Sequence, residues 1–214
     1  MYASIIQLIV KKNKNLAVFI KFFEKNTSGG YYLNMNKENL EWKLIERKEV
    51  FKTVVFTVTE RLSEAPDGSR GTYIVNEARD WVIVIAEHGE KFLMVKQWRH
   101  GQMGLSIEFP GGVIDSGENP ETAARRELLE ETGCIAGKLQ CLGSMNPNPA
   151  LFSNRVHVYL ATDLTFTGKQ HLDQDEFVKY MEIDRKEVLK KIGCNEYPHA
   201  LMASAAALYL TKDY

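Results

Sequence analysis

The chain has 214 residues, 44% of them hydrophobic, and a formal net charge of −1. This length suits one sizeable domain, or one domain with a small appendage, and the near-neutral charge gives no electrostatic reason to expect nucleic acid as a partner. The three cysteines lack CxxC and CxxH spacing, so neither a disulfide framework nor a zinc site is indicated, and a reducing, cytoplasmic setting fits best.

Residues 1–40 form an N-terminal extension of undefined role. Its runs SIIQLIV and LAVFIKFF are apolar but separated by lysines, and each is far shorter than the ~20 residues that a membrane span needs. One interpretation is a basic amphipathic membrane anchor. The favoured one is an extra segment without stable membrane insertion, because a signal-peptide layout is missing and Met35 could equally start a compact domain.

From residue 41 the pattern becomes rich in strands. VFTVTERL alternates apolar and polar residues as a strand does, APDGSRG is typical of a turn, and TYIVN would form the returning strand. Residues 41–76 therefore predict a small antiparallel β subdomain. The runs WVIVIA (81–86) and KFLMVKQW (91–98) are almost continuously apolar and predict strands buried on both faces, joined by a turn at residues 88–90.

A well-punctuated helix is predicted next. Asn119 suits its N-cap, Pro120 its first position and Gly133 its C-terminal cap. RVHVYLA and FVKYMEI predict two further strands, and Asp184 with Glu187 resembles a capping box that opens the helix RKEVLKKI. The final run, ALMASAAALYL, is apolar nearly all round and predicts a helix packed on the core or on another subunit.

Three glutamates crowd one turn of the first helix. Because each residue advances about 100°, Glu127, Glu130 and Glu131 share a face, where like charges destabilise an isolated helix. The face could be simply solvated, or paired with Arg125 and Arg126, although both arginines are expected to point mostly to other sides. It could also bind a hard divalent cation, since Mg²⁺ and Mn²⁺ prefer oxygen ligands. An EF-hand loop is missing, and a glycosidase-type carboxylate pair would not need three acids on one turn.

The surrounding residues resemble the signature of the Nudix hydrolase family, with every spacing intact. One departure occurs, Cys134 at a closing aliphatic position, where cysteine behaves as a small hydrophobe. Five further segments are similar to the branch of ADP-ribose and nucleotide-sugar pyrophosphatases. They are WKLIERKEVF (42–51), QWRHG (97–101), EFPGG (108–112), DQDEFVKYMEI (173–183) and NPNPALFSNRVHVYLA, whose Pro149 lies sixteen residues beyond Gly133. The resemblance covers roughly residues 41 to 212. The matching signature residues are Gly112, Glu118, Arg126, Glu127, Leu128, Glu130, Glu131 and Gly133.

This resemblance implies an α/β Nudix fold, a mixed sheet sandwiched between helices. Residues 41–76 would then serve dimerisation, and residues 77–214 would form the catalytic domain with its C-terminal helices. The implied reaction is Mg²⁺-dependent hydrolysis of the pyrophosphate bond of ADP-ribose or a related nucleoside diphosphate sugar, with Mn²⁺ as a substitute. The alternatives are a hydrolase of another nucleotide-linked metabolite, such as GDP-mannose or a dinucleotide, and a non-catalytic ADP-ribose-binding sensor, against which the intact signature argues.

The resemblance also assigns roles within the signature. Glu127 and Glu131 would be the principal metal ligands, with Glu130 and the Gly111 carbonyl contributing, and Glu130 and Glu131 would also take part in catalysis. Glu118 would shape the loop or the outer metal shell. Arg126 would hold the glutamates in place by hydrogen bonds.

Residues outside the signature complete the expected site. The catalytic base is expected among Asp173, Asp175 and Glu176, and Glu176 is favoured. The alternative is that these acids form a solvated loop without a catalytic role. Substrate contacts are expected from Arg99 as a phosphate clamp, from Glu108, and from Arg155, for which a subunit contact or a structural salt bridge is an equal alternative.

Overall fold

The computed structural model describes residues 39–172 and 176–212. The predictions for residues 1–38, Asp173 and Asp175 therefore lie outside the described residues. The described residues fall into two units, residues 39–43 with Glu64–Ser69, and Leu44–Ser63 with residues 70–172 and 176–212. Within the described ranges, no helix has both the length and the apolar character required to cross a membrane.

The described elements are nine strands and three helices. They are β1 (Lys43–Lys52), β2 (Phe56–Glu64), β3 (Arg70–Ala78), β4 (Trp81–His88), β5 (Lys91–Arg99), β6 (Gly104–Glu108), α1 (Pro120–Thr132), β7 (Cys134–Met145), β8 (Val156–Phe166), β9 (Lys179–Asp184), α2 (Arg185–Lys191) and α3 (Ala200–Leu210).

The first three strands form a separate antiparallel sheet in the order β1-β2-β3. Glu77 on β3 binds arginines of both other strands, Arg47 at 2.5 Å and Arg61 at 2.8 Å. The turn predicted at APDGSRG is present: the Gly68 amide donates to the Ala65 carbonyl, and Gly68 has φ 84°, a left-handed conformation that favours glycine. The use of residues 41–76 for dimerisation stays a prediction.

The larger sheet is mixed, in the order β6-β5-β4-β8-β7, with β9 paired to β5. β4 and β8 run parallel, and the other described pairs of this sheet are antiparallel. The predicted turn between β4 and β5 lies at residues 89–90. The α/β fold expected from the sequence is confirmed.

Helices cover both faces of this sheet, which explains its continuous apolar strands. Ile83 and Ile85 of β4 face a core that includes Met202 and Ala205 of α3. Val82 and Val84 face the opposite core, formed with Ala123, Ala124 and Leu128 of α1. Successive residues of a strand point to opposite faces, so a strand between two helical layers needs apolar residues at every position.

The predicted helix ends are confirmed. The Asn119 side chain accepts a hydrogen bond from the Thr122 amide, and Gly133 closes α1 with φ 69°. The Asp184 carboxylate caps α2 by accepting from the amides of Lys186 and Glu187. Two strands, β6 and β7, were not predicted; β7 contains a register shift at Cys141/Gly143, which interrupts its alternation.

Candidate functional site

Packing of α1 decides where its acidic face lies. Ala123, Ala124 and Leu128 are fully buried against the sheet, so the glutamates project from a different side of the helix, toward the segment after β6. Glu131 is only 4% exposed, and its Oε2 accepts a hydrogen bond from the Gly111 amide at 2.8 Å. The carboxylate is therefore held within the structure rather than solvated.

Arg126 binds three of the signature glutamates at once. Its Nε and Nη2 donate to the two oxygens of Glu118 at 3.1 and 2.9 Å. Its Nη1 donates to Glu127 at 2.9 Å and Glu130 at 3.0 Å, and Nη2 also donates to the Val113 carbonyl. All five N–H groups of the guanidinium therefore have a partner.

This arrangement corrects one expectation about the helix face. The long side chain of Arg126 reaches back across α1 to Glu127 and Glu130, although helical angles alone suggested that it points elsewhere. Arg125 does lie apart from these glutamates, since it binds Glu121 and the Ala136 carbonyl. Arg126 thus forms hydrogen bonds with Glu118, Glu127 and Glu130, and its role in holding metal ligands stays a prediction.

Two glycines bring the main chain close to the acidic face. Gly111 has φ 153°, and a Cβ there would lie 2.2 Å from the Val82 carbonyl oxygen. At Gly112 a Cβ would lie 2.5 Å from Glu127 Oε1. The carbonyls of Pro110 and Gly112 accept from β4, so by strand-like alternation the Gly111 carbonyl lies on the other edge of this segment.

Burial destabilises the ionised forms of two glutamates. It raises the pKa of Glu127 to about 7, against the hydrogen bond from Arg126. Burial also raises the pKa of Glu131 to about 8. The hydrogen bond from the Gly111 amide lowers this pKa, and the charges of Glu127 and Glu176 raise it further. The bonds from Arg126, by contrast, hold the pKa of Glu118 below its usual range. The site thus concentrates negative charge that α1 and its neighbours compensate only in part.

Gln170 and His171, which precede Glu176 in the chain, bind the end of α1. The His171 amide donates to the Glu130 carbonyl at 2.8 Å, and the Gln170 side-chain amide donates to the Glu131 carbonyl. The Glu176 charge raises the pKa of both Glu127 and Glu131, which places it within electrostatic range of these carboxylates.

Arg99 and Glu108 form a buried ion pair beside the acidic face. Arg99 Nε and Nη2 donate to the two oxygens of Glu108 at 2.9 and 2.5 Å, and Glu108 is 1% exposed. Burial would raise the pKa of Glu108, but the bonds from Arg99 outweigh it and keep that pKa low. These two bonds use Nε and Nη2 of Arg99, and Nη1 has no hydrogen-bond partner in the part of the chain that the structure describes.

Arg155 makes contacts outside the acidic face. Its guanidinium donates to the hydroxyl and the carbonyl of Ser144, each at 2.8 Å, and its amide donates to Asp80. His157 also approaches Asp80, at 3.5 Å. The role of Arg155 in binding substrate stays a prediction.

Two cavities meet at residues that the sequence analysis did not single out. One, of about 650 Å³, is lined mainly by apolar residues such as Val113 and Phe152. The other, of about 370 Å³, contains Arg99, Ser106 and Glu108. Trp81 and His199 line both. The only sequence signal for His199 was its position immediately before the last apolar helix.

Over residues 39–172 and 176–212, no three histidine, cysteine or acidic side chains are already arranged to hold a metal ion. Glu127 and Glu130 are instead bound to Arg126, and Glu131 to Gly111.

Comparison with known proteins agrees with this geometry. The NUDIX domain model matches residues 76–201. An ADP-ribose pyrophosphatase of Bacillus subtilis is 34% identical over 82% of this chain and 96% of its own length. A methanol dehydrogenase activator of Bacillus methanolicus is 32% identical over 71% of this chain and 83% of its own length. A crystal structure of an ADP compounds hydrolase shares the fold, with a TM-score of 0.70 at 23% identity, over 82% of this chain and 95% of that one. The family model and the extent of the similarity confirm the resemblance found in the sequence: the chain belongs to the Nudix hydrolase family.

Proposed function

We propose that this protein hydrolyses the pyrophosphate bond of ADP-ribose or a related nucleoside diphosphate sugar, giving a nucleoside monophosphate and a sugar phosphate. The observation that carries the proposal is the intact acidic turn, in which Arg126 joins Glu127 and Glu130 while Glu131 accepts from the Gly111 amide. The similarity to a bacterial ADP-ribose pyrophosphatase along almost the whole length of that protein supports the substrate class.

The chemistry of the donor set fits a hard divalent cation. Buried carboxylates are stable in their ionised form only when paired, and burial raises the pKa of both Glu127 and Glu131. Glu127, Glu130, Glu131 and the Gly111 carbonyl would hold Mg²⁺, or Mn²⁺ in its place. When bound, such a cation neutralises the pyrophosphate and stabilises the leaving phosphate.

Arg126 positions the acids and Arg99 meets the substrate in this proposal. Because Arg126 binds Glu118, Glu127 and Glu130 together, it fixes the spacing of the carboxylates before substrate arrives. Arg99 is oriented by Glu108 and presents Nη1 to a phosphate oxygen. Glu108 therefore acts through Arg99.

Glu176 is proposed as the base that takes a proton from the attacking water. The water oxygen bonds to one phosphorus, the P–O bond to the bridging oxygen breaks, and that oxygen leaves with the other phosphate. The electrostatic effect of Glu176 on Glu127 and Glu131 supports this role, as does the attachment of the preceding segment to α1 through Gln170. Asp173 and Asp175 are the alternative bases.

A homodimer is part of the proposal. Strand β1 exposes large apolar side chains, including Leu44 (51%), Val50 (52%) and Phe51 (61%), and Val54 beyond its end is 98% exposed. A second copy covering this strand would remove these side chains from water. Analytical ultracentrifugation would contradict the dimer if it found a stable monomer with full activity. A cytoplasmic location is also proposed, and the free thiols of all three cysteines are compatible with it.

The test is product analysis by ion-exchange chromatography. The purified protein is incubated with Mg²⁺ and, separately, ADP-ribose, ADP-glucose, GDP-mannose, NADH or a diadenosine polyphosphate, each with an EDTA control. We expect AMP and ribose 5-phosphate from ADP-ribose, and no product in EDTA. Turnover of another compound alone would reassign the substrate, and tight ADP-ribose binding without turnover would favour a sensor.

A further inference from the structure

His199 caps the last helix in a way that fixes its tautomer. Its Nδ1 accepts a hydrogen bond from the Leu201 amide at 3.2 Å, as an N-cap residue does. A nitrogen that accepts carries no proton, so the neutral ring has its hydrogen on Nε2. Burial lowers the pKa of His199, which favours the neutral ring.

The rest of the ring faces the cavities beside the acidic site. His199 lines the apolar cavity of about 650 Å³, the polar cavity of about 370 Å³ and a small third cavity that Gly111 also lines. Nε2 lies on the side of the ring away from the Leu201 amide, and no contact within the described part of the chain engages it. An unused donor therefore borders the space next to Arg99.

The polar cavity has further unused hydrogen-bonding groups. Ser106 is 1% exposed; its hydroxyl lies beside the Glu108 carboxylate, whose low pKa it supports, but no well-formed hydrogen bond joins the two among the described residues. Arg99 Nη1 makes no hydrogen bond within residues 39–172 and 176–212, since the bonds to Glu108 use Nε and Nη2. A buried polar group without a partner is costly, so a set of this kind is suited to a ligand that supplies acceptor oxygens.

We propose that His199 is a substrate-binding residue, whose Nε2–H donates a hydrogen bond to a phosphate or hydroxyl oxygen of the sugar-phosphate half of the substrate in the cavity lined by Arg99 and Ser106. The inference rests on the proposed function and adds a recognition residue from α3 to it. The apolar cavity, which Trp81 also lines, would then take the nucleoside half.

Two substitutions separate this role from helix capping. His199→Asn keeps a good N-cap acceptor but withdraws the donor from the cavity. His199→Gln can return an amide N–H near the position of Nε2 but is a weaker cap. KM for ADP-ribose is measured for both variants, with inhibition constants for ribose 5-phosphate and adenosine and with thermal unfolding.

We expect His199→Asn to weaken inhibition by ribose 5-phosphate about two- to thirteenfold, the range for one lost hydrogen bond, with adenosine inhibition and thermal stability unchanged. His199→Gln should recover most of that affinity while unfolding at a lower temperature. Comparison with 2-deoxyribose 5-phosphate tests whether the contact is made with the 2-hydroxyl. Wild-type inhibition by ribose 5-phosphate in His199→Asn, or an equal loss for adenosine, would overturn the proposal. Absence of ADP-ribose turnover in the unmodified protein would instead refute the proposed function.

Discussion

Replacing Gly112 by alanine tests how closely the main chain must approach the acidic helix. Gly112 has no left-handed φ, so the backbone itself accepts alanine. The new Cβ would lie 2.5 Å from Oε1 and 2.7 Å from Cδ of Glu127. The substitution therefore acts on one proposed metal ligand and on little else.

The size of the effect follows from these distances. Ordinary van der Waals contact begins at 3.4 Å, so the Glu127 carboxylate must retreat by about 0.9 Å. A carboxylate at the end of a flexible side chain can move this far, and we expect the free energy of unfolding to change by no more than about 1 kcal/mol. Misplacement of a catalytic group by about 1 Å costs roughly 10²-fold in rate, so kcat should fall by about that factor.

The assay is the initial rate of ADP-ribose hydrolysis in Mg²⁺, with urea denaturation followed by tryptophan fluorescence. Gly104→Ala is the matched control, because its Cβ would approach only the far end of the Gln102 side chain, at 3.3 Å. We expect this control to keep the wild-type rate. A Gly112→Ala variant with wild-type kcat would refute the reasoning. A variant destabilised by several kcal/mol would show that the Glu127 carboxylate cannot move away from the new Cβ.

Three further predictions concern single carboxylates. Glu131→Gln should abolish nearly all turnover while the circular dichroism spectrum stays native, because it replaces a proposed metal-binding carboxylate by a neutral amide of nearly the same size. Retained turnover would contradict the role of Glu131 as a ligand. Glu176→Gln should lower kcat with little change in the Mg²⁺ concentration needed for half-maximal rate; an unchanged kcat would move the base to Asp173 or Asp175. Glu77→Gln tests the small sheet, where hydrogen bonds from Arg47 and Arg61 hold the pKa of Glu77 at about 2, from an ordinary 4.5. Because its pKa is lower in the folded state, ionised Glu77 stabilises the fold fully above pH 4.5, and this stabilisation is lost as the pH falls through about 2. Urea denaturation should find the variant about 1 kcal/mol less stable at pH 7, since these pairs face solvent, with the difference shrinking toward pH 2; a constant difference would argue against the ion pairs.

The sequence by itself determined the local elements around the acidic turn. Asn119, Pro120 and Gly133 specify where α1 begins and ends, because capping and left-handed backbone geometry depend on the residue itself. The apolar runs of β4 and β5 specify strands covered on both faces. Spacing along α1 likewise puts three glutamates on one face, and the complete signature identified the family.

Only the tertiary structure decided how these glutamates are held and what lies next to them. Arg126 binds Glu118, which lies in the loop before α1, and Glu131 is buried against Gly111. Neither contact follows from helical spacing. His199 lies 91 residues beyond Glu108 in the chain, yet both line the same cavity. Local propensity and periodicity act over a few neighbouring residues, whereas burial, ion pairing and cavities depend on which distant segments the sheet brings together.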